Sequence, residues 1–103
     1  MTSLEPVIEF IDEVGGLYFR SILLRNRGDT AAQHTHEYDH VTYVGNGCVV
    51  AYADEECIGE VWAGHAIEIK AGIPHKFVAI LPDTRLTCVH NVESANAIKA
   101  KGL

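Results

Sequence analysis

The run His34-Thr35-His36-Glu37-Tyr38-Asp39-His40 decides how this chain is read. His34 and His36 are one residue apart, and side chains along a strand alternate between its faces, so both imidazoles present to one side. Two ring nitrogens on one side can grip a single ion. His40 follows four residues later, and His75, in the distant run Gly72-Ile73-Pro74-His75, can close the shell from another strand. Four histidines in this pattern point to a divalent metal.

Working outward, the chain reads as strand almost throughout. Leu17 to Leu24, Val41 to Val44, Cys48 to Tyr52, Cys57 to Trp62, Ala66 to Ile69, His75 to Leu81 and Thr84 to Val92 are rich in β-branched, aromatic and other apolar residues. Turn signals separate them: Arg27-Gly28-Asp29, Gly45-Asn46-Gly47, Asp54-Glu55-Glu56, Ala71-Gly72 and Pro82-Asp83. Many short strands joined by turns predict an antiparallel sandwich or barrel. Only Glu93 to Leu103 has helix-like composition, and a helix that short is stable only when docked. With no repeat, linker or low-complexity tract, residues 1–103 are expected to form one small domain with one core.

Two longer patterns extend the histidine spacing. Gly28 to Gly47, G-D-T-A-A-Q-H-T-H-E-Y-D-H-V-T-Y-V-G-N-G, resembles the first cupin motif, G(X)5HXH(X)3-4E(X)6G, at every spacing, with His40 where the family usually has glutamate. Gly64 to Ala79, G-H-A-I-E-I-K-A-G-I-P-H-K-F-V-A, is similar to the second motif, G(X)5PXG(X)2H(X)3N. Gly64, Gly72 and His75 fit; Lys70 stands in for proline and Ala79 for asparagine. From Gly28 to Ala79 the match spans about half of the chain. Gly28 and Gly47 bracket the first hairpin, where residues without a Cβ can take the positive φ of tight turns. Pro74 then fixes the backbone as it enters the strand of His75. The resemblance implies an all-β fold, the cupin double-stranded β-helix or jelly-roll barrel. It also implies a metal held by His34, His36, His40 and His75.

Charge and composition narrow the remaining classes. Fourteen acidic against eight basic residues leave a net charge of −6, and a nucleic-acid partner needs Lys and Arg gathered on one face. Arg20, Arg25 and Arg27 are the nearest to such a cluster and read as a solvated strand edge. No apolar run approaches the roughly 18 residues of a membrane-spanning helix. The acidic start, Met1 to Phe10, lacks the features of a secretory signal. Cytoplasmic location is expected, with no membrane partner. Cys48, Cys57 and Cys88 contain no C-x-x-C pair and are expected to be reduced thiols within strands.

Replacing the family's glutamate by His40 leaves four neutral ligands. A divalent ion then keeps its full charge and should prefer an anionic, chelating substrate. Imidazole serves iron, manganese, zinc, nickel and copper alike, so the ligand set does not select among them. What the resemblance implies for activity is a metal-dependent oxygenase, isomerase or lyase of small oxygenated molecules, dioxygenase-like chemistry first among these. The alternative is a non-catalytic module binding a metal or small ligand. Glu37, Asp39 and Tyr43 are candidate acid–base groups near the ligands, and Tyr38 and Trp62 candidate wall or core residues. His65 reads as surface. His90 shares a strand face with Leu86 and Cys88, so it lines the pocket if that face is internal and is exposed if not. A homodimer joined through a sheet edge is expected, since an open edge otherwise invites uncontrolled pairing.

Overall fold

The computed structural model describes residues 6–32 and 38–91. Nine strands follow one another: β1 (Val7–Val14), β2 (Leu17–Leu24), β3 (Thr30–Ala32), β4 (His40–Asn46), β5 (Cys48–Ala53), β6 (Glu56–Trp62), β7 (Ala66–Ile69), β8 (His75–Ala79) and β9 (Thr84–Asn91). They form two antiparallel sheets, of strand order β1-β2-β9-β4-β7 and β3-β8-β5-β6. This is the predicted all-β jelly roll. There is no helix among the described residues, so none is long and apolar enough to cross a membrane. The helix-like stretch Glu93 to Leu103 lies outside them.

All seven predicted strands are present, each ending within two residues of its expected limits. Two further strands carry weaker signals. In β1, V-I-E-F-I-D-E-V, a register shift between Ile8 and Phe10 breaks the alternation. β1 pairs only with β2 at the sheet edge and is almost wholly exposed. β3 is three residues long, T-A-A, and alanine is a poor strand former.

The inward rows of the two sheets decide where chemistry can occur. β4 contributes Val44, Thr42 and His40; β8 contributes Ala79, Phe77 and His75; β9 contributes Leu86, Cys88 and His90; β2 contributes Leu24, Ile22, Arg20 and Tyr18. Each row is apolar at one end, where Leu24, Val44, Val49, Ala79 and Leu86 pack in the core. Each turns polar at the other. The barrel thus has a greasy floor and a mouth lined with histidine, tyrosine and arginine. A fully exposed-to-water alternative would waste burial at that end, because His40 and His75 are each only 6% exposed.

Gly47 shapes the floor. Its φ of 80° lies in the left-handed region. An added Cβ would sit 3.0 Å from the Cα of Thr84, so β5 and β9 approach too closely there for any side chain. Thr84 completes the closure: its buried hydroxyl donates to the Leu81 carbonyl at 2.9 Å and accepts from the Cys48 amide at 3.3 Å.

The predicted turn between β5 and β6 places two residues other than glycine at positive φ, Asp54 at 50° and Glu55 at 67°. Asn-Gly suits two consecutive left-handed positions far better. The double variant Asp54→Asn with Glu55→Gly is expected to gain about 1 kcal/mol by relieving that strain. Thermal unfolding checks this, and an unchanged or lower Tm would show that the turn is not strained.

Candidate metal centre

His75 opens β8 immediately after Pro74, and its ring faces the interior with Phe77 and Ala79. Its Nδ1 lies 2.8 Å from the carbonyl oxygen of Ile73. A carbonyl only accepts, so Nδ1 carries the proton and donates it. The neutral ring then keeps its lone pair on Nε2, the nitrogen free to bind a metal. Backbone carbonyls commonly orient metal-binding histidines in this way.

His40 opens β4 on the facing sheet, opposite Ile69 of β7, and buries its Nδ1. His40 and His75 therefore approach the polar end of one interior from opposite sides. Two buried imidazoles, one with its tautomer set by the backbone, suit a transition metal. His34 and His36 lie outside the described residues. Among the described residues no group of three or more His, Cys, Asp or Glu side chains is gathered as a metal site.

Asp39 ties the two motif segments together. Its carboxylate accepts from the Ala71 amide at 2.7 Å, joining the entry of β4 to the turn that leads to His75. Lys70 adds to this, with its ammonium 2.7 Å from Glu68 and 3.9 Å from Asp39. The hydrogen bond to Glu68 and then the carboxylate charges push the Lys70 pKa up. Lys70 thus helps to hold by charge a turn in which the family motif uses proline. Removing the Asp39 acceptor is expected to cost roughly 1 kcal/mol, because the bond is charge-assisted but solvent-exposed. Asp39→Asn should lose less than Asp39→Ala in thermal melts; equal Tm for both variants and wild type would remove Asp39 from this role.

Ring contacts settle the position of His90. Its face is internal: it follows Leu86 and Cys88 along β9, and its ring stacks on Tyr18 with centroids 4.6 Å apart and planes 20° from parallel. Tyr38 leans on its ring at 5.0 Å and meets His40 edge-on at 6.4 Å. Burial, and then the Tyr18 phenol, raise the Tyr38 pKa above the ordinary 10.0, so its hydroxyl keeps its proton. Continuing the β4–β9 register by one residue from Val41–Val89 sets His40 beside His90. His90 lines the mouth, and so does Tyr38.

Other candidates face elsewhere. Tyr43 alternates with Thr42 and Val44, points outward and is 42% exposed, which removes it as an acid–base group. Trp62 is 51% exposed and donates its indole N–H to Glu60, so it forms neither core nor pocket wall. Glu37 lies outside the described residues. His65 is exposed, as its position after Gly64 predicts. None of the three cysteines is in a disulfide. Cys88 faces inward with its sulfur 3.7 Å from the Thr42 hydroxyl, whereas Cys57 is exposed rather than packed within its strand. Burial, followed by the Glu60 charge, pushes the Cys48 thiol up, away from reactivity. Sequence reading missed Tyr18 and Arg20 as mouth residues. Their signal was phase: both keep step with Ile22 and Leu24, two core residues of the same strand.

No family model and no curated protein matches the sequence. Solved structures do. KdgF from a Halomonas species superposes with a TM-score of 0.68 at 23% identity, over 78% of this chain and 73% of that one. An RmlC-like cupin family protein from Methanocaldococcus jannaschii gives 0.70 at 16%, over 89% and 86%. A cupin-2 domain containing protein from Shewanella frigidimarina gives 0.64 at 18%, over 88% and 83%. These likenesses show the fold: the chain has the cupin double-stranded β-helix.

Proposed function

We propose that this cupin-fold chain binds one divalent transition metal through His34, His36, His40 and His75. It would act as a metal-dependent, dioxygenase-like enzyme on a small polar or anionic substrate. The observation that carries this reading is the pair of buried inward imidazoles at the polar end of the barrel, with the His75 tautomer set by the Ile73 carbonyl. Once bound, the ion would supply Lewis acidity toward an enediol, diketone or carboxylate oxygen, and redox chemistry with dioxygen if it is iron, manganese or copper. Around it, Tyr38 and His90 offer hydrogen-bonding groups within an aromatic wall. With Tyr43 turned outward and Asp39 engaged by Ala71, neither serves as a base at the ion.

Metal analysis of protein purified without a histidine tag, followed by oxygen uptake with a panel of diketones and enediols, tests the reading. One equivalent of metal with turnover is the expected result. Metal without turnover on any redox-active ion would leave the binding module, and no metal uptake would overturn both. Imidazole must shed its second proton to coordinate, so uptake should weaken in acid toward histidine's reference value of about 6.5.

Cytoplasmic placement and a small-molecule partner belong to the same proposal, the former in keeping with three cysteines outside any disulfide. So does the homodimer, through a sheet face instead of an edge. β1 exposes Glu9, Asp12 and Glu13, so two copies pairing β1 antiparallel would set like charges against each other. By contrast the outer face of the larger sheet carries Phe10, Val14, Leu17, Val41 and Tyr43, each at least 39% exposed. Light scattering should report a dimer for wild type and a monomer for Phe10→Glu with Val14→Glu; a monomeric wild type would refute this surface.

A further inference from the structure

We infer that Arg20 is the anion-recognition residue of the mouth, and that the ligand of the site carries a carboxylate set apart from its metal-chelating end. This inference rests on the metal site proposed above. It begins from placement: an exposed guanidinium on the inward row of β2, in phase with the core residues Ile22 and Leu24 and so at the open end of that row.

Register fixes what surrounds it. Arg20 lies directly opposite Cys88 of β9, which lies opposite Thr42 of β4. One inward step toward the mouth, Tyr18 lies opposite His90, and His40 follows beside it. Arg20 and His40 are thus two strands and one inward step apart, with Cα atoms roughly 12 Å from each other by ordinary strand spacing. A chain of about five carbons between the two charged centres matches that separation once both side chains lean inward. The Tyr18–His90–Tyr38 rings flank the path between them.

Charge supports the assignment. Among the described residues, the ion pairs are Lys70 with Asp39 and Glu68, and Arg85 with Glu9; Arg20 is in none of them. Glu13 is the carboxylate on the nearest inward position of β1, opposite Tyr18, and forms no ion pair with Arg20 within 4.0 Å. Among the described residues this inward-row cation has no counter-ion, which suits it to one that arrives with the ligand. The guanidinium fork matches a carboxylate through two parallel hydrogen bonds. In a chain of net charge −6, the general field repels anions, so capture depends on a local pair of positive centres, the metal and Arg20.

The test uses two probes with the same chelating head, 2-oxoglutarate and 2-oxopentanoate, of which only the first bears the distal carboxylate. Calorimetry on cobalt-loaded full-length protein, with cobalt absorption as a second readout, should show the first binding about tenfold tighter or more. Arg20→Gln should erase that preference while leaving 2-oxopentanoate affinity and cobalt uptake unchanged, and Arg20→Lys should restore part of it. Equal affinities in wild type, or a preference that survives Arg20→Gln, overturn the inference while the metal reading stands. A wild type that takes up no cobalt overturns both.

Discussion

His75→Ala is expected to lower divalent-metal affinity by a hundredfold or more, with the largest functional effect of any single change in the described residues. The hydrogen bond from Nδ1 to the Ile73 carbonyl leaves the Nε2 of His75 available. Losing an outer partner of a metal-binding histidine alone typically costs about 10–100-fold, and losing the ligand costs more. Stability should follow. An ion that binds only the native state adds to the free energy of folding, so wild type should melt lower in chelator and His75→Ala should be indifferent to it. Tag-free protein, metal analysis and paired melts with and without chelator provide the measurement. One full equivalent of tightly held metal in His75→Ala would remove this residue from the site.

Gly47→Ala should be the most damaging small substitution at the other end of the barrel. Left-handed backbone costs a residue with a Cβ about 1–2 kcal/mol. Contact with the Thr84 backbone at 3.0 Å adds to this, since neither β5 nor β9 can withdraw without breaking the hydrogen bonds of Thr84. A combined loss of roughly 3 kcal/mol is a large share of a small domain's stability and corresponds to a drop of about 15 °C in Tm. Gly28→Ala is the control. Its φ of 91° imposes the same backbone cost, but a Cβ there meets nothing within 4 Å. Equal melting temperatures for the two variants would show that the Thr84 contact contributes nothing.

The strands that could be read from the residues alone are those whose apolar or β-branched content runs between clear turn signals. Leu17–Leu24 and Ala66–Ile69 were predicted to the residue because apolar content and turn chemistry bound them at both ends. β1 escaped notice because Glu9, Asp12 and Glu13 interrupt its apolar content and a register shift disrupts the period. Within the barrel, the histidine spacing singled out His40 and His75, and both are buried on inward rows. Tyr43 was misplaced although its strand was found, since nearness in sequence to a ligand says nothing about facing it; one residue of offset turned it to the outer face. Phase along β2 and β9 could place Tyr18, Arg20 and His90 on the faces of Ile22, Leu24 and Leu86, but not bring them together. Their grouping depends on β2 and β9 being neighbours, a long-range pairing that no local pattern contains.

The change from apolar to polar along every inward row also has a bearing on traffic. Among the described residues the base is packed, so a ligand of the proposed site would leave by the mouth through which it entered. Anything lodged between Arg20 and the histidines would stand in the way of the ion behind it. Loading would then be ordered, metal before anion, and an occupied doorway would slow the escape of the metal to an external chelator.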